Sequence, residues 1–301
     1  MRKVVWLVVR DEEFYIDMAI ECAAKYVDGI YVLDTGSKDG TFQTIFNLQK
    51  KYKNIVYEYK EFGGDSRFGI KSGQKPGFAE IYREKDARNY AIEQALVYFK
   101  PVDWLVQLDA DEVVNERYWE ILDTLTGPDD LSFGHSTCVP YTPYLISDNP
   151  QSMVVWKGIR LFDPHVRAWS TKLHVKWAHP EGRHVIPKIV GHDEDLPVYR
   201  VTKDHVHFHL HRAFGPKSIH AWLTQFSQAW GQASETLNIP IEDIFNQKVY
   251  KKRYPEWFKD GKFNPDRSWH EYRIRTYGAT KISHPLPDFV VKKWEDWGKW
   301  W

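Results

Sequence analysis

Val4-Val-Trp-Leu-Val-Val9, Gly29-Ile-Tyr-Val-Leu33 and Asn54-Ile-Val-Tyr-Glu-Tyr59 decide the fold of this chain. The first is a continuous apolar run rich in β-branched residues, the pattern of a strand covered on both faces. The second repeats it. In the third, Ile55, Tyr57 and Tyr59 alternate with Val56 and Glu58, a weaker strand signal. Between them Ile16, Ala19, Ile20 and Ala23 recur at helical spacing, and Phe42, Ile45 and Phe46 open a second helix. Strand, helix, strand, helix, strand is the order of βαβ units, so the pattern predicts an α/β fold with a mostly parallel sheet flanked by helices.

Outward from there, residues 61–80 carry glycines at 63, 64, 69, 73 and 77 and a proline at 76. That composition marks a long loop, either a lid or a plain surface insertion. Ala87, Ala91, Ala95, Tyr98 and Phe99 predict a helix that Pro101 ends. Trp104 to Leu108 is a further buried strand running into Asp109-Ala-Asp-Glu112, and Tyr118, Ile121, Leu122 and Leu125 predict a short helix stopped by Gly127-Pro128. Beyond residue 130, short β-like runs (Val154 to Trp156, Ile159 to Phe162, Val201 to Leu210) lie among Pro, Gly and His, and the sheet is expected to become mixed there. Ile219, Trp222, Leu223, Phe226 and Trp230 form a helical stripe, and Trp294 to Trp301 closes a helical, aromatic-rich C-terminal extension.

Composition narrows the function. Forty-one Lys and Arg balance forty-one Asp and Glu, so no whole-molecule basic field exists to hold nucleic acid or an anionic membrane non-specifically. With 43% apolar and 27% charged residues, a disordered or fibrous chain is excluded. Cys22 and Cys138, both in apolar settings, cannot build a disulfide framework and read as buried free thiols. The apolar run Val4 to Val9, cut by Arg10-Asp-Glu-Glu13, is too short for a signal-peptide core or a membrane span. A cytoplasmic setting is expected.

Two acidic strand ends carry the chemistry. Asp109 and Asp111 stand two residues apart where a buried strand ends, the place where ligands of open α/β sheets collect. Such a pair can hold Mg²⁺ or Mn²⁺ bridging nucleotide phosphates, or can be a solvated turn capping the next helix. The second end is Asp34-Thr-Gly-Ser-Lys-Asp-Gly-Thr41, between a strand and a helix. Here Asp34 can accept hydrogen bonds from a base or ribose, the glycines let backbone approach a ligand, and Asp39 and Thr41 help start the helix. The alternative is a well-capped turn and nothing more.

Val8-Val-Arg-Asp-Glu-Glu13, Asp34 to Thr41, Asp86-Ala-Arg-Asn89 and Leu108-Asp-Ala-Asp-Glu112, in this order, resemble the family-2-type glycosyltransferases of GT-A fold. The resemblance covers roughly residues 3 to 125. It implies a Rossmann-like GT-A sheet whose first half, residues 1–130, binds a nucleotide-sugar, usually a UDP-sugar, with Mn²⁺ or Mg²⁺. Residues 131–215 would form the acceptor-side half and residues 216–301 the C-terminal extension. By position, Arg10 and Glu12 would line the nucleotide pocket, Asp34 would hold the base, and Arg88 would sit near the nucleotide or its sugar. Asp109 would face ribose or sugar hydroxyls, and Asp111 would coordinate metal. The implied reaction is transfer of the sugar to an acceptor hydroxyl with inversion. The acceptor would be a glycan or lipid-linked glycan, a protein side chain, or a hydroxymethylated DNA base.

In Asp204-His-Val-His-Phe-His-Leu-His211 a period of two puts the four histidines on one strand face. Imidazoles there can complete a metal site begun by carboxylates, with His209 favoured and then His207; a half-exposed strand is the plain alternative. The relatives' His-Glu pair is reduced here to Leu173-His174-Val175 with no acid, which leaves the base open. Asp193, Glu194 and Asp195 are the candidates, unless that run is a solvated loop. Trp156, Trp169, Trp177 and the terminal indoles can stack on an acceptor or pack in the core. The Lys292 to Trp301 segment suits a membrane interface, a partner surface or nucleic acid. A non-catalytic nucleotide- or carbohydrate-binding protein of the same fold is the alternative to an enzyme.

Overall fold

The computed structural model describes residues 1–62, 78–124, 154–156, 167–178, 186–189, 207–210, 252, 258–259, 262–263, 279–281 and 286–300. In chain order the elements begin with β1 (Lys3–Val9), α1 (Ile16–Ala24), β2 (Gly29–Asp34), α2 (Thr41–Lys51), β3 (Ile55–Tyr59), α3 (Phe78–Tyr98) and β4 (Trp104–Gln107). β5 (Glu112–Val114), α4 (Glu116–Thr124), β6 (Val154–Trp156), β7 (Ala168–Ser170), β8 (Val175–Ala178), β9 (Ile186–Ile189) and β10 (His207–His209) follow. Short strands β11 (Phe258–Lys259), β12 (Lys262–Phe263) and β13 (Ala279–Lys281) precede the last helix, α5 (Asp288–Trp300).

The five-stranded sheet has the order β3-β2-β1-β4-β7. β1 pairs in parallel with β2 and β4, β2 pairs in parallel with β3, and β7 runs antiparallel to β4 at the edge. This is the mixed, mostly parallel α/β sheet with flanking helices that the pattern predicts.

The continuous apolar runs are explained by burial on both faces. Val5, Leu7 and Val9 of β1, with Ile30 and Val32 of β2, pack in one core with α1 and α4. The intervening Val4, Trp6, Tyr31 and Leu33 pack in a second core under Ala87, Ala91, Ile92 and Ala95 of α3. The alanines let the helix lie close to the sheet. Gly29 does the same at the start of β2, where a Cβ would come within 2.4 Å of the Phe99 ring.

Several details differ from the sequence expectation. α3 begins at Phe78, inside the span expected to be loop, because the glycine and proline punctuation ends at Gly77; residues 63–77 lie outside the described ones. Tyr98, placed on the helical stripe, is exposed, since the buried face is completed by Ile92 instead. Trp169 and Trp177 are buried in the α3-side core, each edge-on to Trp6, so their surface goes to packing and not to an acceptor. β5 was not foreseen, because three residues beside an acidic turn carry no period. The stripe from Ile219 to Trp230, Cys138 and Leu125 lie outside the described residues, as does the side-chain placement of Trp156.

α5 returns to the α1-side core: Leu286 and Val290 are buried in it, and Lys293 hydrogen-bonds the Phe14 carbonyl and Asp17 at the start of α1. Among the described residues no helix is long and apolar enough to cross a membrane.

Candidate functional site

From β1 the chain moves outward to β2 and β3, then returns across α3 to place β4 on the other side of β1. The strand order therefore reverses between β1 and β4, and an open α/β sheet has its natural crevice at the carboxyl ends flanking such a switch. The chain leaves β1 through Arg10 to Glu13, β2 through Asp34 to Thr41, and β4 through Leu108 to Asp111. Three of the motifs singled out in the sequence thus meet at one rim.

The first two loops are stitched together by reciprocal side-chain-to-backbone bonds. Asp11 N–H donates to Ser37 Oγ (2.9 Å), while Lys38 N–H donates to Asp11 Oδ1 (2.8 Å). Glu12 N–H donates to Thr41 Oγ1 (2.7 Å), and Gly40 N–H to Glu13 Oε2 (2.7 Å). These bonds hold Asp11 at φ 55°, a left-handed conformation that costs a non-glycine residue free energy. Gly36, at φ 119°, occupies a region that only glycine enters easily.

Asp34 is buried and builds its own turn. Its Oδ1 accepts from Gly36 N–H (2.9 Å) and Ser37 N–H (2.8 Å), and its Oδ2 accepts from the Tyr57 hydroxyl (3.1 Å). Burial and the neighbouring Asp34 carboxylate push the Tyr57 phenol well above its ordinary value, which keeps it a neutral donor. Arg10 is half-buried beside this turn, its guanidinium carbon 4.0 Å from where a Gly36 Cβ would stand. Tyr59, exposed at the same edge, has its phenol held above its ordinary value, chiefly by its hydrogen bond to Glu61.

The third loop is organised by ion pairs. Asp109 is 30% exposed at its side chain; Arg167 Nη1 donates to Oδ2 at 3.1 Å, and Arg88 meets Oδ1 more loosely at 3.5 Å. Gln107 Nε2 also donates to Oδ1, at 3.3 Å. The Arg88 guanidinium lies over the Trp177 ring, 4.6 Å from its centroid. Glu112 has no exposed side-chain surface: Oε1 accepts from Arg167 Nη2, and Oε2 accepts the Asp109 backbone N–H at 3.0 Å. His207, equally buried, brings Nε2 to 3.2 Å from Glu112 Oε2.

The predicted site residues divide. Arg10, Glu12, Asp34, Arg88, Asp109 and Asp111 all come to the ends of neighbouring strands or to the helix facing them. Asp109 meets two guanidiniums, so direct metal ligation, the joint grip with Asp111, does not suit it. Asp111 is half-buried, and its carbonyl accepts Leu210 N–H at 2.7 Å, which seats the end of β10 against this turn. His209 stands opposite Glu112 in the β5–β10 register, and its side-chain placement lies outside the described residues. His207 is directed into the interior against Glu112. Asp193, Glu194 and Asp195 lie outside the described residues.

Among the described residues, no three His, Cys, Asp or Glu side chains converge as a metal cage. The donor set still fits a hard divalent ion of the kind carried by one or two carboxylates, water and substrate phosphates, with Asp111 as the carboxylate. Sequence reasoning missed Arg167 and the role of Glu112. Arg167 is 58 positions from Asp109, and no local pattern distinguishes it from a surface arginine.

No protein-family model and no curated protein matches the chain. Solved structures do resemble it in part. S. aureus TarS 1-349 in complex with UDP is 13% identical, with 81% of this chain and 77% of that one covered and a TM-score of 0.40. Glucosyl-3-phosphoglycerate synthase from Mycobacterium tuberculosis, in complex with Mn²⁺, UDP and glucosyl-3-phosphoglycerate, is 21% identical. It covers 42% of this chain and 40% of its own length, with a TM-score of 0.25.

Proposed function

We propose that this chain is a glycosyltransferase that moves a sugar from a nucleotide-sugar, a UDP-sugar by preference, to an acceptor hydroxyl with inversion. The observation that carries the proposal is the meeting of Arg10, Asp34, Arg88 and the Asp109–Asp111 turn around the point where the strand order reverses. Parallel pairing brings the loops after β1, β2 and β4 to one rim whatever they contain; what supports the reading is that these loops and the facing helix carry acids and arginines there, the groups a nucleotide-sugar needs.

The parts supply the following chemistry. Arg10 and Glu12 line one wall of the donor cleft, and the base is proposed to dock at the Asp34 turn, whose buried carboxylate fixes the loop that meets it. Arg88, braced on the Trp177 ring, offers a guanidinium to the diphosphate or the sugar. Asp109 is aimed at hydroxyls of the ribose or the transferred sugar. Asp111 would hold Mn²⁺ or Mg²⁺, with a β10 histidine as second donor. Such an ion, when bound, offsets negative charge on the departing diphosphate. The acceptor hydroxyl attacks the anomeric carbon as the bond to the diphosphate oxygen breaks, and a carboxylate on the opposite face removes its proton. Asp193, Glu194 and Asp195 are the proposed source of that base. The acceptor is a glycan or lipid-linked glycan, a protein side chain, or a hydroxymethylated DNA base, and the setting cytoplasmic.

Incubation with Mn²⁺ and a panel of nucleotide-sugars tests the reading. Slow release of nucleoside diphosphate supports it. Binding without release at any acceptor would convert the protein into a carbohydrate- or nucleotide-binding module, and absence of binding would remove the donor site.

A further inference from the structure

Arg167 stands just before β7, on the strand that closes the sheet edge beside β4. Its carbonyl accepts Gln107 N–H at 2.6 Å, one step past the β4–β7 ladder, so the backbone position of the guanidinium is set by the sheet itself. The side chain is only 6% exposed. Burying a guanidinium is unfavourable unless its donors are met by good acceptors, and two carboxylates meet them here: Glu112 on one nitrogen, Asp109 on the other.

The two carboxylates differ in what they can touch. Glu112 is wholly enclosed, between Arg167, the Asp109 backbone N–H and His207. Asp109 keeps part of its surface open at the rim. Glu112 therefore anchors the guanidinium from inside while the same guanidinium fixes Asp109 from the side away from the rim. Glu112 also holds the Asp109 main chain, so the backbone and the Oδ2 side of Asp109 are referred to one buried acid, while Gln107 and Arg88 meet Oδ1 at 3.3 and 3.5 Å. An aspartate otherwise has two side-chain torsions to settle, and a ligand would have to order them on binding.

We infer that Arg167, backed by Glu112, is a positioning residue that pre-sets the Asp109 carboxylate for donor hydroxyls. This inference rests on the glycosyltransferase reading and deepens it: neither Arg167 nor Glu112 touches the donor, and each acts through Asp109.

A double-mutant cycle on the full chain tests this, with Arg167→Lys, Glu112→Gln, Asp109→Asn and the two pairs that include Asp109→Asn. Donor KM and kcat are measured for nucleotide-sugar hydrolysis, alongside the near-UV circular dichroism of each variant. Lysine keeps the charge but offers one nitrogen in place of the two that Arg167 gives to Asp109 and Glu112, and Glu112→Gln changes a side chain with no exposed surface. Each is expected to raise donor KM about tenfold in the wild-type background and to have almost no further effect once Asp109 is asparagine. A merely structural role would lower the active fraction, and so kcat, with KM unchanged. Effects that multiply across the cycle, or an unchanged KM in folded Arg167→Lys and Glu112→Gln, overturn the inference. Should Arg167→Lys not fold, the Glu112→Gln arm decides alone. Failure of the unmodified chain to bind any nucleotide-sugar is a different result, and it removes the donor reading together with everything built on it.

Discussion

Asn89 holds Trp177 by both ends of its amide: Nδ2 donates to the Trp177 carbonyl at 3.0 Å, and the Trp177 N–H donates to Oδ1 at 2.8 Å. The partners are 88 positions apart, so a helix residue substitutes for a strand neighbour and docks β8 beneath α3. The next residue back along α3, Arg88, then finds the Trp177 ring under its guanidinium. Asn89→Ala should cost about 1–3 kcal/mol, because two backbone groups lose their partner in a half-buried place. Urea unfolding measures this. A loss below half a kilocalorie per mole would mean that water replaces the amide without penalty.

Asp34 separates a structural from a ligand-binding carboxylate. Asn can still accept both turn N–H groups at its Oδ1, whereas Ala can accept neither. We expect Asp34→Ala to lower stability by about 2 kcal/mol or more and Asp34→Asn by less than about 1 kcal/mol. If Asp34 also holds the base, the asparagine variant keeps its stability and loses nucleotide affinity. Calorimetric titration with UDP beside a thermal melt distinguishes the two. Undiminished affinity in Asp34→Asn would leave Asp34 with the turn alone.

Asp111→Asn should abolish Mn²⁺-stimulated donor hydrolysis while lowering stability by less than about 1 kcal/mol, since asparagine keeps the size and one acceptor oxygen of the half-buried side chain. Full metal-stimulated activity in that variant would take the ion away from this turn.

Burial pushes the Cys22 thiol from 9.0 up to about 12. The group therefore keeps its proton in the folded chain over a pH range where the unfolded chain has lost it. Between about pH 9 and 12 the folded state binds the extra proton, so this thiol makes stability fall as pH rises. Alkylation of Cys22 at pH 8, followed by peptide mass spectrometry, should be far slower in the native protein than in urea. Equal rates would show that the α1 core opens readily.

Lys293 ties α5 to α1 through Asp17, at 2.5 Å, and the Phe14 carbonyl. Both side chains are partly exposed, so salt should weaken the tie. Lys293→Ala should speed proteolytic removal of α5, whereas the same change at the exposed Lys292 should not. Equal cleavage of both variants would assign the docking of α5 to the apolar contacts of Leu286, Phe289, Val290 and Val291.

The elements of the first half and most of the rim are legible in the residue pattern alone. Val4 to Val9 and Gly29 to Leu33 are apolar at every step because both faces of their strands are covered, one by α1 and the other by α3. Strand-end acids stand out because carboxylates are costly beside such runs unless something uses them. What those acids are bonded to emerges with the folded chain. Arg167 reaches Asp109 and Glu112 across 58 and 55 positions, and His207 reaches Glu112 from β10. Strand pairing between distant segments creates these contacts, and no period or spacing in a one-dimensional string encodes a partner that lies in another strand. Trp169 and Trp177 teach the same lesson in the opposite direction: an indole has the same letter on a surface and in a core, and the packing of β7 and β8 against Trp6 chose the core.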